Sequence, residues 1–160
     1  MKTIYLAGGC FWGLQKYLDL QNGVVSTVVG YSNGRTEFPT YEQVKSQESG
    51  HAETVKTEYD ENIITLTSLL EKYFAVIDPV SLNKQGEDAG ISYRTGIYYT
   101  ENGQLQEIEE VYNKVQSEHA EKLAVEVKPL DNFYPAEEYH QKYLEKNPGG
   151  YCHIGQCFFE

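Results

Sequence analysis

Between residues 3 and 100 the hydrophobic patterns follow the order strand, helix, strand, strand, helix, strand, and that order leaves few folds open. The run Thr3-Ile4-Tyr5-Leu6-Ala7 predicts a short buried strand over 3–7. Leu14, Tyr17 and Leu18 then recur at helical spacing and predict a helix over about 11–20, closed by Asn22-Gly23. Residues 24–31 read as a second strand. Val55, Thr57 and Tyr59 alternate and predict a third over 52–59. Leu66, Leu69, Leu70, Tyr73, Phe74 and Ile77 mark a second helix, which Asp78-Pro79 ends. Residues 95–100 read as a fourth strand before Asn102-Gly103. This is the split-βαβ, ferredoxin-like pattern, so the expected class is α+β, a two-layer sandwich rather than a doubly wound parallel sheet. An added α-β-α follows: a helix through Leu105, Ile108, Val111, Tyr112 and Val115, a strand over 124–128, and a short helix over 136–146. Residues 32–49 and 83–92 read as polar loops, the first with a helical turn near 41–45.

No repeat, low-complexity stretch or linker interrupts this plan, so the 160 residues are expected to form one domain, with 147–160 a flexible tail. The formal net charge of −11 argues against a nucleic-acid partner and against an anionic membrane surface. No apolar run approaches the ~20 residues of a membrane helix, and the start of the chain does not read as a signal peptide. The expectation is a cytoplasmic monomer. In a reducing compartment its three cysteines do not make a structural disulfide framework.

The placement of those cysteines carries the chemistry. Cys10 stands in Gly8-Gly9-Cys10-Phe11-Trp12-Gly13, at the predicted start of the first helix and beside the chain's single tryptophan. A thiol there would face free N–H groups and the positive end of the helix dipole, which favours thiolate. The alternative is an inert buried thiol among glycines. Glu53, in Gly50-His51-Ala52-Glu53, shares a strand face with Val55. It is either an exposed strand-end carboxylate or a buried carboxyl whose raised pKa suits a general acid. The loop Gln85-Gly86-Glu87-Asp88-Ala89-Gly90-Ile91-Ser92-Tyr93-Arg94 is either a solvated turn or a site loop offering Asp88 and Tyr93. Cys152 and Cys157 lie in the glycine-bearing tail. Their Cys-x4-Cys spacing is a poor match to structural zinc, and a tail thiol that attacks an oxidised Cys10 is the more natural reading. None of His51, His119, His140 and His153 stands out as a base for Cys10.

These residues resemble the A-type peptide methionine sulfoxide reductases, the MsrA family, over nearly the whole chain. The resemblance is carried by Gly9-Cys10-Phe11-Trp12-Gly13, Gly30-Tyr31 with Gly34, Pro39-Thr40-Tyr41, Gly50-His51-Ala52-Glu53, Asp78-Pro79, Gln85-Gly86 through Tyr93-Arg94, and His140-Gln141 with Tyr143-Leu144, Asn147-Pro148 and Gly150-Tyr151-Cys152. It implies that Cys10 attacks the sulfoxide sulfur and that Glu53 protonates its oxygen. It implies that Tyr41 and Tyr93 hydrogen-bond that oxygen, with Asp88 holding the polar network. Phe11 and Trp12 would wall the pocket for the substrate's ε-methyl group. Cys152 would resolve the sulfenic acid, with Cys157 as a second resolving thiol. The implied substrate is the S epimer of methionine sulfoxide, free or in proteins. The implied reductant is thioredoxin or a similar dithiol, with no metal and no organic cofactor. Lys45 stands where some relatives carry a cysteine, and Ile77 where relatives often carry histidine. Two other classes compete: a thiol hydrolase with a histidine base, and a non-enzymatic aromatic-rich binding domain.

Overall fold

The computed structural model describes residues 1–152 and 154. Its elements are β1 (Lys2–Ala7), α1 (Phe11–Asp19), β2 (Val24–Ser32), α2 (Tyr41–Lys45), β3 (Ala52–Tyr59), α3 (Leu66–Val76), β4 (Lys84–Gln85), β5 (Asp88–Ala89), β6 (Gly96–Tyr99), α4 (Leu105–Ser117), β7 (Glu126–Pro129), β8 (Phe133–Pro135) and α5 (Tyr143–Lys146). Six strands form one sheet in the order β7-β6-β1-β3-β2-β8. Its inner four, β6-β1-β3-β2, are antiparallel throughout. The connection through α1 crosses β3 and the one through α3 crosses β1, which is the expected split-βαβ arrangement.

One sheet face supplies Ile4, Leu6, Val29, Val55 and Ile97 to a core completed by Leu14 and Leu18 of α1, Leu69, Leu70 and Tyr73 of α3, and Ile108 and Val111 of α4. The other face is closed only toward one end, where Ala7, Ala52 and Tyr98 form a smaller cluster and the Ser32 and Thr54 hydroxyls hydrogen-bond across β2 and β3, while Lys56 and Glu58 remain part-exposed. Tyr73 closes the joint between helix and sheet. Its buried hydroxyl donates to Ala7 O at 2.5 Å and accepts the Gly96 N–H at 3.2 Å, tying the end of β1 to the start of β6. Tyr73→Phe should therefore cost about 1–3 kcal/mol in urea-induced unfolding, because buried backbone groups lose their partner.

The structure departs from the sequence reading in three places. The loop over 83–92 contains the two-residue hairpin β4-β5, with Gly86 at φ 60, and leads into a 3-10 turn at Ile91–Tyr93. A strand not expected, β8, pairs with β2 on the sheet edge opposite β7. The helix expected over 136–146 is broken into a 3-10 turn at Glu138–His140 and the short α5. The break has a cause. Gln141 accepts the Val29 N–H at 3.0 Å and donates to Val29 O at 2.9 Å, imitating a strand beyond β8. Lys142 then takes a left-handed φ of 55, and its N–H donates to Gln15 Oε1 while Lys142 Nζ pairs with Asp19. These tertiary bonds outweigh local helix propensity.

Candidate active site

Four chain segments converge at one end of the sheet. β1 ends at Ala7, which pairs with Thr54 of β3 and with Gly96 of β6. The register places Glu53, one residue earlier on β3, beside the turn that leaves β1, and opposite Tyr31 near the end of β2. Gly8 packs against Ile77, whose Cγ2 would lie 2.7 Å from any added Cβ, and Gly9 takes φ 77. A side chain at either position would move the turn that delivers Cys10.

Cys10 is the N-cap of α1 and is 7% exposed. The two N–H groups nearest it are divided. The Phe11 N–H donates to Glu53 Oε1 at 3.1 Å, and the Trp12 N–H faces the Cys10 sulfur without a formed cap hydrogen bond. The expectation of a resting thiolate is corrected here. Burial, then the Glu53 carboxylate, push the Cys10 thiol well above its ordinary value; the Trp12 N–H opposes them, and Asp88 and Cys152 add to the rise. A helix terminus is worth roughly half a unit charge, and here it is shared with a carboxyl and sealed from water.

Glu53 is 1% exposed and its pKa is raised to about 8. Burial is the main cause, the Phe11 N–H pulls it down, Asp88 pushes it up and Lys45 pulls it down. The buried-acid alternative is therefore the one realised. Its Oε2 is buried and has no hydrogen-bond partner among the described residues. Lys45, an exposed residue, holds its ammonium 5.9 Å from the Tyr41 ring centre.

The phenols of Tyr41 and Tyr93 are both pushed upward, first by burial and then by Glu53, and Cys10 is felt at each. Tyr41 is the first residue of α2, whose N-cap Thr40 forms a capping box with Gln43. Its N–H donates to Glu137 Oε2 at 3.0 Å, while Tyr31 donates to Glu137 Oε1 at 2.8 Å. Asp88 reaches the same space from β5 and is hydrogen-bonded to Tyr151, a residue the sequence reading did not single out. The Phe11 ring is fully enclosed, against Tyr31 at 5.7 Å and His140 at 5.4 Å. Trp12 keeps part of its ring open, stacked on Tyr143 at 3.7 Å and 13°.

Cys10 and Cys152 are both free thiols. Cys152 is half-buried, and its sulfur accepts the Ile154 N–H at 3.4 Å. Cys157 lies outside the described residues. Among the described residues no group of three His, Cys, Asp or Glu side chains could hold a metal ion, and no helix is long and apolar enough to cross a membrane.

The family model described as "Peptide methionine sulfoxide reductase" matches residues 2–158. The chain belongs to the peptide methionine sulfoxide reductase family. It is 57% identical to the peptide methionine sulfoxide reductase MsrA of Lachnoclostridium phytofermentans, over 99% of this chain and 96% of that one. It is 58% identical to an MsrA of Clostridium perfringens, over 96% of this chain and 98% of the other. Among solved structures, reduced Mxr1 from Saccharomyces cerevisiae superposes with a TM-score of 0.90 at 36% identity, covering 96% of this chain and 91% of that one. Mxr1 in complex with Trx2 matches with a TM-score of 0.62 at 29% identity, covering 89% and 84%. The reductase thus carries a thiol-based sulfoxide-reducing site, not that of a hydrolase or a plain binding domain.

Three residues the sequence reading passed over frame the site of the reductase: Glu137, His140 and Tyr151. His140 and Tyr151 lay inside recognised motifs, but nothing in their spacing gave them separate roles. Glu137 lay inside a stretch read as ordinary helix.

Proposed function

We propose that the chain reduces the S epimer of methionine sulfoxide, free or in proteins, with Cys10 as nucleophile and Glu53 as general acid. The observation that carries this is the buried Glu53 carboxyl at about 8, one hydrogen bond from the helix start that Cys10 caps. A sulfoxide oxygen is a poor leaving group until protonated. A carboxyl that keeps its proton at neutral pH can supply it, and one at its ordinary value could not.

The Cys10 sulfur bonds to the sulfoxide sulfur as Glu53 Oε2, with Tyr41 and Tyr93 beside it, delivers a proton to the oxygen, and the thiol proton returns to Glu53. The hydroxyl then passes from the substrate sulfur to the Cys10 sulfur: the substrate's sulfur–oxygen bond and the transient sulfur–sulfur bond break, a Cys10 sulfur–oxygen bond forms, and Cys10 sulfenic acid and methionine result. The Cys152 thiol then attacks the Cys10 sulfur; water leaves and a disulfide forms. One sulfoxide and two thiols become one thioether, one disulfide and one water. A dithiol then returns the enzyme to its starting state. The Mxr1–Trx2 structure supports thioredoxin in that role, with Cys157 the further thiol that could carry the disulfide outward. Trp12 lines the side that receives the substrate's methyl group, with Phe11 behind it, and Asp88 with Tyr151 orders the polar side. The whole of 1–160 acts as one catalytic domain, 147–160 serving as its resolving tail, in a cytoplasmic monomer.

The resolving role has its own test. Cys152→Ser should release one methionine per enzyme at a normal rate in rapid-quench single turnover, and then stall under thioredoxin. Cys157→Ser should slow thioredoxin-dependent cycling less. Stalling by Cys157→Ser and normal cycling by Cys152→Ser would reverse the two assignments.

A further inference from the structure

Gln47 leaves α2 with φ 71, in the left-handed region where glycine is the unstrained residue. What glycine would lack is the amide. Gln47 Oε1 accepts the Ser92 N–H at 2.9 Å. Its Nε2 donates to Ser92 Oγ at 2.9 Å and to Lys45 O at 2.9 Å. The amide oxygen and both amide protons are thus engaged. Gly90, at φ 136, leaves the space: a Cβ there would lie 2.6 Å from the Gln47 amide carbon and oxygen. A strained backbone persists where the surroundings over-determine it, and these bonds do so at Gln47.

The bonds join the two elements that carry the phenols of the site. Ser92 is buried at the middle of the 3-10 turn Ile91–Tyr93, one residue before Tyr93. That turn is tied to the sheet, because Arg94 Nε pairs with Glu126 of β7 at 2.7 Å and Arg94 Nη1 donates to Ile91 O at 3.0 Å. α2 has five residues, Tyr41 is the first of them, and its N–H on Glu137 anchors the start of the helix. A helix this short, anchored at one end, is free to pivot. The Gln47 amide anchors the other end, on the turn that presents Tyr93.

We propose that Gln47 is a positioning residue: by clamping the exit of α2 to the Ser92 turn, it sets the spacing of the Tyr41 and Tyr93 phenols. This rests on the reading of those phenols as the hydrogen-bond partners of the sulfoxide oxygen. It assigns Gln47 no contact with the substrate.

Gln47→Gly relieves the backbone and removes the clamp, so stability and rate should part. Its melting temperature should equal or exceed that of the wild type. Its single-turnover rate at saturating sulfoxide should fall about three- to tenfold, the range for one hydrogen bond made in the transition state. KM should move less than about twofold, because the Phe11 and Trp12 walls are untouched. Gln47→Asn also tolerates the left-handed region but is one methylene too short to reach Ser92, so it should match the glycine variant. In an enzyme carrying Tyr41→Phe and Tyr93→Phe, Gln47→Gly should slow the step no further. The pH at which the rate falls should stay near 8 in every Gln47 variant, since the Phe11 bond to Glu53 is untouched. A wild-type rate in both Gln47 variants would overturn the proposal. So would slowing that comes only with a lowered melting temperature, further slowing in the double-phenylalanine enzyme, or a pH midpoint that moves with Gln47. A double-phenylalanine enzyme with a wild-type rate, beside slowed Gln47 variants, would instead overturn it through the reading of the phenols on which it rests.

Discussion

Cys10→Ser will form no detectable methionine from methionine sulfoxide with dithiothreitol as reductant, and it will melt at the same temperature as the wild type or slightly above. The loss of activity follows from the chemistry. An alcohol of that acidity is not a nucleophile toward a sulfoxide sulfur, and it has no accessible higher oxidation state to accept the oxygen. The preserved stability follows from the position. Residue 10 is the N-cap of α1, where serine is among the preferred residues, and the Trp12 N–H that faces the sulfur can be accepted by the serine oxygen. Chromatographic detection of methionine and a thermal melt on one preparation check both halves. Turnover by a well-folded serine variant would remove Cys10 from the mechanism.

Glu53→Gln should slow the sulfoxide step by ~10²–10⁴, the usual contribution of general acid catalysis, while making the folded protein more stable above neutral pH. Glutamine keeps an acceptor for the Phe11 N–H but brings no proton. The wild-type step should depend on the protonated carboxyl, so its single-turnover rate falls as pH rises through about 8. Stability moves in the same direction. The carboxyl's folded pKa of about 8 lies above its ordinary 4.5, so between those values the unfolded chain has released the proton and the folded chain has kept it. The unfolded state binds fewer protons there, and stability is lost as pH rises across the window. Glutamine removes that loss. Rapid-quench rates and urea titrations at pH 5 and pH 9 test the pair of effects. A flat pH–rate profile through 8, or an unaltered rate in Glu53→Gln, would dismiss Glu53 as the acid.

The price of this arrangement shows why the site was only partly legible in the sequence. The strand and helix periods are strong because β1, β3, α1 and α3 each bury one consistent face, so the split-βαβ order could be read directly. Glu53 is paired with Cys10 only through the family resemblance, because the β1–β3 register that brings them together joins residues more than forty positions apart. The state of the Cys10 thiol could not be read. It depends on burial and on carboxylates from β3 and β5 that no local pattern reveals, and these outweigh the helix terminus. The segment from Phe133 to Lys146 was misread for a related reason. Its backbone follows Gln141, Lys142 and Glu137 to partners on β2, α1 and α2, more than ninety residues away in sequence. Those long-range bonds place β8 on the sheet and bring Glu137 and His140 to the rim of the site.

The central claim is that Cys10 takes the oxygen and Cys152 resolves it. The most direct measurement is one turnover of fully reduced Cys157→Ser enzyme, which has no thiol to move the disulfide on, with excess methionine sulfoxide and no reductant, followed by quantification of methionine and mass-spectrometric mapping of cysteine pairs. One methionine per enzyme and a Cys10–Cys152 linked peptide are predicted. Methionine formed while Cys10 remains a free thiol, or a disulfide that leaves Cys10 out, would contradict the account.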